Sequence, residues 1–149
     1  MPQSPNADLC GQPGSRRRLN TPALLLDLDA FDHNLAAMAA LAKRAGLGLR
    51  PHAKAHKSLA VARRQLAAGA LGISCATLGE AEVMAGAGLP GILVTSPVVT
   101  PPMIARLGAL LAGGADVTVV ADHPANIAAL DAAATSASIA LARPARRRR

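Results

Sequence analysis

The sequence predicts an α/β fold built on a parallel sheet covered by helices. Short apolar runs alternate with segments of helical periodicity from Ala23 to about Ala133. The runs after the first are apolar almost throughout, as strands buried on both faces are. The connections are short, and most helical segments begin at a capping residue. A doubly wound sheet and a (β/α)8 barrel both fit this alternation.

Residues 1 to 20 contain Pro, Gly, Asn and Arg and read as a mobile leader without an apolar signal-peptide core. Ala23 to Leu28 reads as a short buried strand. Asp29 is placed to cap a helix from about Ala30 to Arg44, with Phe31, Leu35, Met38 and Leu41 at helical spacing. Gly46 and Gly48 end it, and Leu47 to Lys54 reads as the next strand and its exit. Ser58 caps a helix to about Ala68, and Gly72 to Ala76 is strand. Thr77 and Glu80 form a capping box, Thr at N-cap and Glu at N3, for a helix to about Ala87. Ile92 to Thr95 is strand. Thr100, with Pro101 at the first helical position, opens a helix to about Leu111. Val117 to Val120 is strand, and Asp122 caps a last helix to about Ala133. Ile139 to Ala142 reads as the start of one more strand, before an irregular basic tail.

Composition narrows the function. The net charge of +7 belongs to the ends. Between Leu19 and Ala142 eight Lys and Arg stand against eight Asp and Glu, while Arg16 to Arg18, Arg143 and Arg146 to Arg149 supply the excess. That distribution supports no nucleic-acid partner. Phe31 is the one aromatic residue, so base stacking is unavailable. No apolar run is long enough to span a bilayer. Two cysteines, Cys10 in the leader and Cys75 in a core strand, do not make a disulfide framework and fit a cytoplasmic location.

The segment richest in chemistry is Arg50-Pro51-His52-Ala53-Lys54-Ala55-His56-Lys57, with five basic or imidazole side chains in eight residues. If it is extended through Lys54, alternation places Arg50, His52 and Lys54 on one face. Such groups are costly to bury unless something anionic meets them. A lysine beside other cations is also the setting in which an amine becomes a nucleophile near neutral pH. A carbonyl cofactor bearing a phosphate answers both demands. His52 and His56 stand at i and i+4, but Pro51 opposes a helix there, and no metal site can be assembled from the sequence.

Thr21-Pro22-Ala23-Leu24-Leu25-Leu26-Asp27, then Asp32-His33-Asn34, the basic run, and Ser74 to Glu82 together resemble the D-threonine aldolase and D-serine dehydratase family. The resemblance covers about residues 21 to 134. One departure is Ala55, where the family usually has Thr. The family has the alanine racemase fold, fold type III of the pyridoxal-phosphate (PLP) enzymes, with a barrel and a second, β-rich domain. The resemblance selects the barrel. Since such a barrel takes about 250 residues, the expected fold is the N-terminal part of a (β/α)8 TIM barrel of alanine racemase type, incomplete. Residues 1–20 are then a disordered leader, 21–134 the partial PLP-binding barrel, and 135–149 an irregular basic tail. Truncation or a partial gene is the expected reason for the missing units.

The resemblance implies that Lys54 forms the internal aldimine with PLP and is the catalytic lysine, at a strand's C-terminal end where barrel sites gather. His52 and Arg50 are the further cofactor-binding candidates, with a buried pair between Arg50 and Asp27 as the alternative for Arg50. His56 and Lys57 are candidates for the substrate mouth. Thr77 and Glu80 are explained by the capping box, Cys75 by core packing, and His33 and His123 by helix starts at the surface. The resemblance also implies a divalent metal near a small-molecule D-amino acid substrate, held by second-domain residues absent here, and a homodimer. The expected activity is that of a PLP-dependent lyase on D-hydroxy amino acids, as aldolase or dehydratase. An amino-acid racemase of the same fold, and a fragment or PLP-binding protein without turnover, are the alternatives.

Overall fold

A computed structural model describes residues 4–136 of the chain. They divide into two compact units, one running to Asn34 and one beginning at Leu35.

In the first unit, two 3-10 turns, Ala7–Leu9 and Ser15–Arg18, lie within the stretch read as a leader. Asn6 Nδ2 donates to Asn20 O at 3.0 Å, and Asn20 N donates to Asn6 Oδ1 at 2.8 Å, closing that stretch into a loop. The strand expected over Ala23 to Leu28 does not form. Ala23 to Asp27 are irregular and exposed, Leu24 completely. An apolar run becomes a strand only where a neighbour supplies a ladder and a surface to bury against, and no described segment does so here. Leu28 instead starts helix α1, Leu28–Arg44. Its cap is Asp27, not Asp29: Asp27 Oδ1 accepts from Ala30 N at 3.0 Å. Asp29 falls in the first turn, where its charge suits the helix dipole.

The second unit holds the sheet. Its elements are α2 (Leu59–Ala67), β1 (Ile73–Cys75), α3 (Leu78–Gly86), β2 (Ile92–Val94), α4 (Pro101–Ala112), β3 (Val117–Val119) and α5 (Pro124–Ser136). The strands are parallel in the order β1-β2-β3, with Ile73, Ile92 and Val117 in one row and Cys75, Val94 and Val119 in another. These rows share a face, and α3 and α4 cover it with Leu78, Ala81, Met84, Ile104 and Leu107. Ile73, Leu78, Ile92 and Val94 are fully buried, each stabilising the fold by about 1.5–3 kcal/mol. The opposite face is more polar, with Ser74, Leu93 and Thr118 in register.

Side chains fasten the helices. Ser58 Oγ accepts from Val61 N at 3.4 Å at the start of α2. Thr77 Oγ1 accepts from Glu80 N at 3.2 Å at the start of α3. Arg106 on α4 grips Glu82 on α3 with two guanidinium nitrogens. At α5 the expected Asp122 cap is replaced by His123, whose Nδ1 accepts from Ala125 N at 3.2 Å.

The segment read as a strand over Leu47 to Lys54 pairs with β1 but stops short. Leu71 N donates to Leu49 O and Ser74 N to Pro51 O, both at 2.8 Å, and His52 makes a single parallel bridge with Ser74. Pro51 accepts but has no N–H to return, so no continuous ladder forms. Thr135 and Ser136 close α5. The expected strand start at Ile139 and the rest of the basic tail lie outside the described residues. No described helix is long and apolar enough to cross a membrane.

The strands begin at a close backbone approach between Gly72 and Gly91. Gly91 has φ +64°, and a Cβ there would collide with the Leu71 carbonyl. Gly91→Ala is therefore expected to lower stability by about 2 kcal/mol or more. Gly108, inside α4 with open space around it, is the control: Gly108→Ala is expected to add about 0.5–1 kcal/mol. Urea midpoints of the two variants check both signs.

Candidate functional site

A parallel sheet delivers every strand's C-terminal end to one edge, and the polar residues that follow the strands collect there. Here those residues are His52 and Lys54 after the extended segment, Thr77 after β1 and Thr95 after β2.

The chain turns sharply at His52. Ala53–Ala55 form a 3-10 turn, and His52 caps it, its Nδ1 accepting from Lys54 N at 3.3 Å. Alternation therefore ends at His52, and Lys54 does not share a strand face with Arg50 and His52 as an extended reading through Lys54 requires. Ala53 is fully buried under the turn, while Lys54 projects outward and exposed. Its Nζ has no hydrogen-bonding or ionic partner among the described residues.

The His52 ring reaches across β1. Its Nε2 lies 3.2 Å from Thr95 Oγ1, and Thr95 in turn bonds Cys75 O through its N–H at 2.9 Å and its hydroxyl at 3.1 Å. Lys57 holds a left-handed backbone, φ +49°, and its N–H donates to Ala53 O at 2.7 Å. Its Nζ stands 3.8 Å from Glu80 Oε1, with Lys57 71% and Glu80 17% exposed. An exposed pair of this length contributes little energy. Glu80 is fixed more firmly by Ala76 N, which donates to its Oε2 at 2.8 Å.

Two expected members of the site lie elsewhere. The Arg50 guanidinium donates to Gly91 O, at the start of β2 and thus at the opposite edge from Lys54. Asp27, the alternative partner expected for it, has its Oδ1 committed to the α1 cap. His56 faces inward: Nδ1 accepts from Ser58 N at 3.0 Å, and Nε2 is buried without a hydrogen bond. Burial holds its pKa below the ordinary imidazole value, against a smaller opposing pull from the Gln65 side chain and the Ser58 backbone. Cys75 is fully buried, and burial with the nearby Glu80 charge pushes its thiol up to about 11. Among the described residues no group of three or more His, Cys, Asp or Glu side chains is placed to hold a metal ion.

Sequence reasoning passed over Thr95, which reads as the last residue of an apolar strand. The available signal was a hydroxyl residue at the C-terminal end of a parallel strand, the position where such sheets place functional groups. The reach of Glu80 to Ala76 and Lys57 was likewise hidden behind its place in a capping box.

Residues 26–143 match the family described as alanine racemase, N-terminal domain. A D-threonine aldolase from Arthrobacter sp is 44% identical over 127 residues, which is 85% of this chain and 33% of that protein. A 3-hydroxy-D-aspartate aldolase from Paracoccus denitrificans is 42% identical over 129 residues, again 85% of this chain and 33% of its own length. The structure of D-threonine aldolase from Filomicrobium marinum superposes with a TM-score of 0.77 at 44% identity, covering 80% of this chain and 32% of that one. That of D-threo-3-hydroxyaspartate dehydratase from Delftia sp. HT23 gives 0.75 at 36% identity over 81% and 32%. The chain spans about a third of the length of the curated relatives it matches.

Two outcomes follow from the site's burial. The folded-state pKa of His56 lies below its unfolded value, so the unfolded chain binds the extra proton first as pH falls. The stability it contributes is present above about pH 6.5, the unfolded value, and is lost as pH drops toward the folded value. Urea midpoints measured between about pH 7.5 and 5 should fall with acid, and less so in His56→Gln. A protonated, buried thiol is unreactive, so a thiol reagent at neutral pH should label exposed Cys10 in the native chain and reach Cys75 only on unfolding.

Proposed function

Given that the chain belongs to the alanine racemase N-terminal domain family, we propose that it carries the cofactor-attachment end of a PLP-dependent lyase acting on D-configured β-hydroxy amino acids. The observation that carries this reading is the Lys54 amine, without a partner among the described residues and presented at the C-terminal edge of the sheet by a turn that His52 caps. A carbonyl cofactor needs a primary amine that no carboxylate holds, and Lys54 supplies one. Lys43 lies in the last turn of α1, and Lys57 faces Glu80. The names of the relatives, aldolases and dehydratases of D-threonine and 3-hydroxyaspartate, support the lyase class and the D-configured substrate.

The donor set at this edge fits PLP: an amine for its aldehyde carbon and an imidazole beside it. When bound, PLP supplies an electron sink for negative charge at the substrate's Cα. The chain's own residues then have limited tasks. Lys54 holds the cofactor covalently. His52 keeps the turn closed by accepting the Lys54 N–H, which fixes where the amine emerges. Lys57 and Glu80 form the neighbouring rim. Arg50 has no place in the cofactor site in this reading, because its guanidinium is engaged at Gly91. A cytoplasmic location belongs to the same reading and is supported by two unpaired cysteines.

The test is a titration of the chain with PLP, followed by borohydride reduction and peptide mapping. Saturable attachment at Lys54, lost in Lys54→Ala, is expected. Equal labelling of Lys43, Lys54 and Lys57 would sink the proposal.

A further inference from the structure

We propose that Thr95 is a positioning residue, which holds the His52 ring with its proton on Nε2 and thereby sets the turn that presents Lys54. The proposal rests on the reading of Lys54 as the cofactor lysine.

Two independent sets of bonds require the same tautomer. On one side of the ring, Lys54 N donates to Nδ1. That nitrogen therefore bears no proton, and the ring's proton is on Nε2. On the other side, Nε2 meets Thr95 Oγ1 at 3.2 Å. The Thr95 hydroxyl has one proton and directs it to Cys75 O. Its lone pairs are what remain for the ring, so Nε2 must be the donor. The bonds run in one direction, from Lys54 N–H to Nδ1 and from Nε2–H through Thr95 to Cys75 O.

The far end of this series is rigid. Cys75 is the last residue of β1 and fully buried, and its carbonyl also takes the Thr95 N–H. Thr95 follows β2 directly, and branching at Cβ restricts its χ1. A ring anchored to that pair of strands cannot swing away from the turn it caps. The turn itself is short, three residues, and the Lys54 N–H is the group that the His52 side chain holds. Orientation of the Lys54 backbone thus depends on a hydroxyl that is bonded to Lys54 only through the His52 ring.

The experiment compares Thr95→Val, which keeps the branched shape and removes the hydroxyl, with Thr95→Ser, which restores it. Long-range proton–nitrogen spectra of the histidine rings, taken without cofactor at about pH 8.5, above the ordinary imidazole range, read the tautomer. His52 is identified by the signals missing from His52→Gln. In parallel, the rate of borohydride-trapped PLP attachment at Lys54 is measured by peptide mapping. The expected result is Nε2–H at His52 in the unsubstituted chain and in Thr95→Ser, and a mixture of tautomers in Thr95→Val. Attachment at Lys54 should slow in Thr95→Val and recover in Thr95→Ser. An unchanged tautomer in Thr95→Val would overturn the proposal, and so would a changed tautomer with equal attachment rates. Absence of attachment at Lys54 in the unsubstituted chain would instead overturn the cofactor reading, while the nitrogen spectra decide the ring's anchoring by themselves.

Discussion

Gly91 stands where the strands begin, and its peptide groups are bonded from three directions. Its N–H donates to Asp116 Oδ2 at 2.8 Å, and its carbonyl accepts from Ile73 N at 3.2 Å and from the Arg50 guanidinium. Asp116 also accepts Ile92 N at 3.0 Å through its own carbonyl. Only a residue without Cβ lets β1 and β2 come this close, with Gly72 opposite. Because the strands are parallel, fixing where they start also fixes where they end, and the register of Cys75, Val94 and Val119 follows from the contact at Gly91.

The same constraint separates structure from chemistry within one short run of basic residues. Arg50 is drawn to the starting edge, where a carbonyl awaits it. Pro51 passes one carbonyl to β1, and the pairing ends at the single bridge of His52 with Ser74. His52 can then turn the chain, and its ring takes over the N–H that a continuing strand would have spent on a neighbour. The Lys54 amine emerges exposed as a consequence, without a partner among the described residues. Five cationic or imidazole groups that are adjacent in sequence thus end in three environments: the sheet's base, its functional edge, and the packed start of α2.

Most of the second unit was legible because its signals are local. Ser58, Thr77 and Pro101 each mark a helix start that the backbone obeys, and the runs at Ile73, Ile92 and Val117 are apolar on every residue that faces α3 or α4. The errors came where an outcome depends on a distant partner. Ala23 to Leu28 has a strand's composition but no ladder to join among the described residues. The caps at α1 and α5 moved by two residues and by one, since Asp27, Asp29, Asp122 and His123 all have side chains that can bond a helix N–H. The exit from the basic run was read as extended through Lys54. Only the pairing with β1 shows that it ends at His52. The basic run that carries Lys54 stands out by its pattern, whereas Thr95 does not, because its bond reaches a residue 43 positions away.

The chain spans about a third of the length of its curated relatives, and the proposed cofactor site lies within that span. Aldolases and a dehydratase resemble it to a comparable degree over nearly the same span. An aldolase breaks the bond between Cα and Cβ. A dehydratase removes a proton from Cα and a hydroxyl from Cβ. Both place negative charge at Cα of an amino acid, and both therefore need the same electron sink held in the same attitude. In the proposed reading a fixed turn, an exposed amine and an anchored imidazole serve that common requirement and do not distinguish the two bond cleavages. In the proposed reading, Lys54, His52 and Thr95 set the position of the cofactor, and the choice of bond belongs to groups that face the substrate's Cβ.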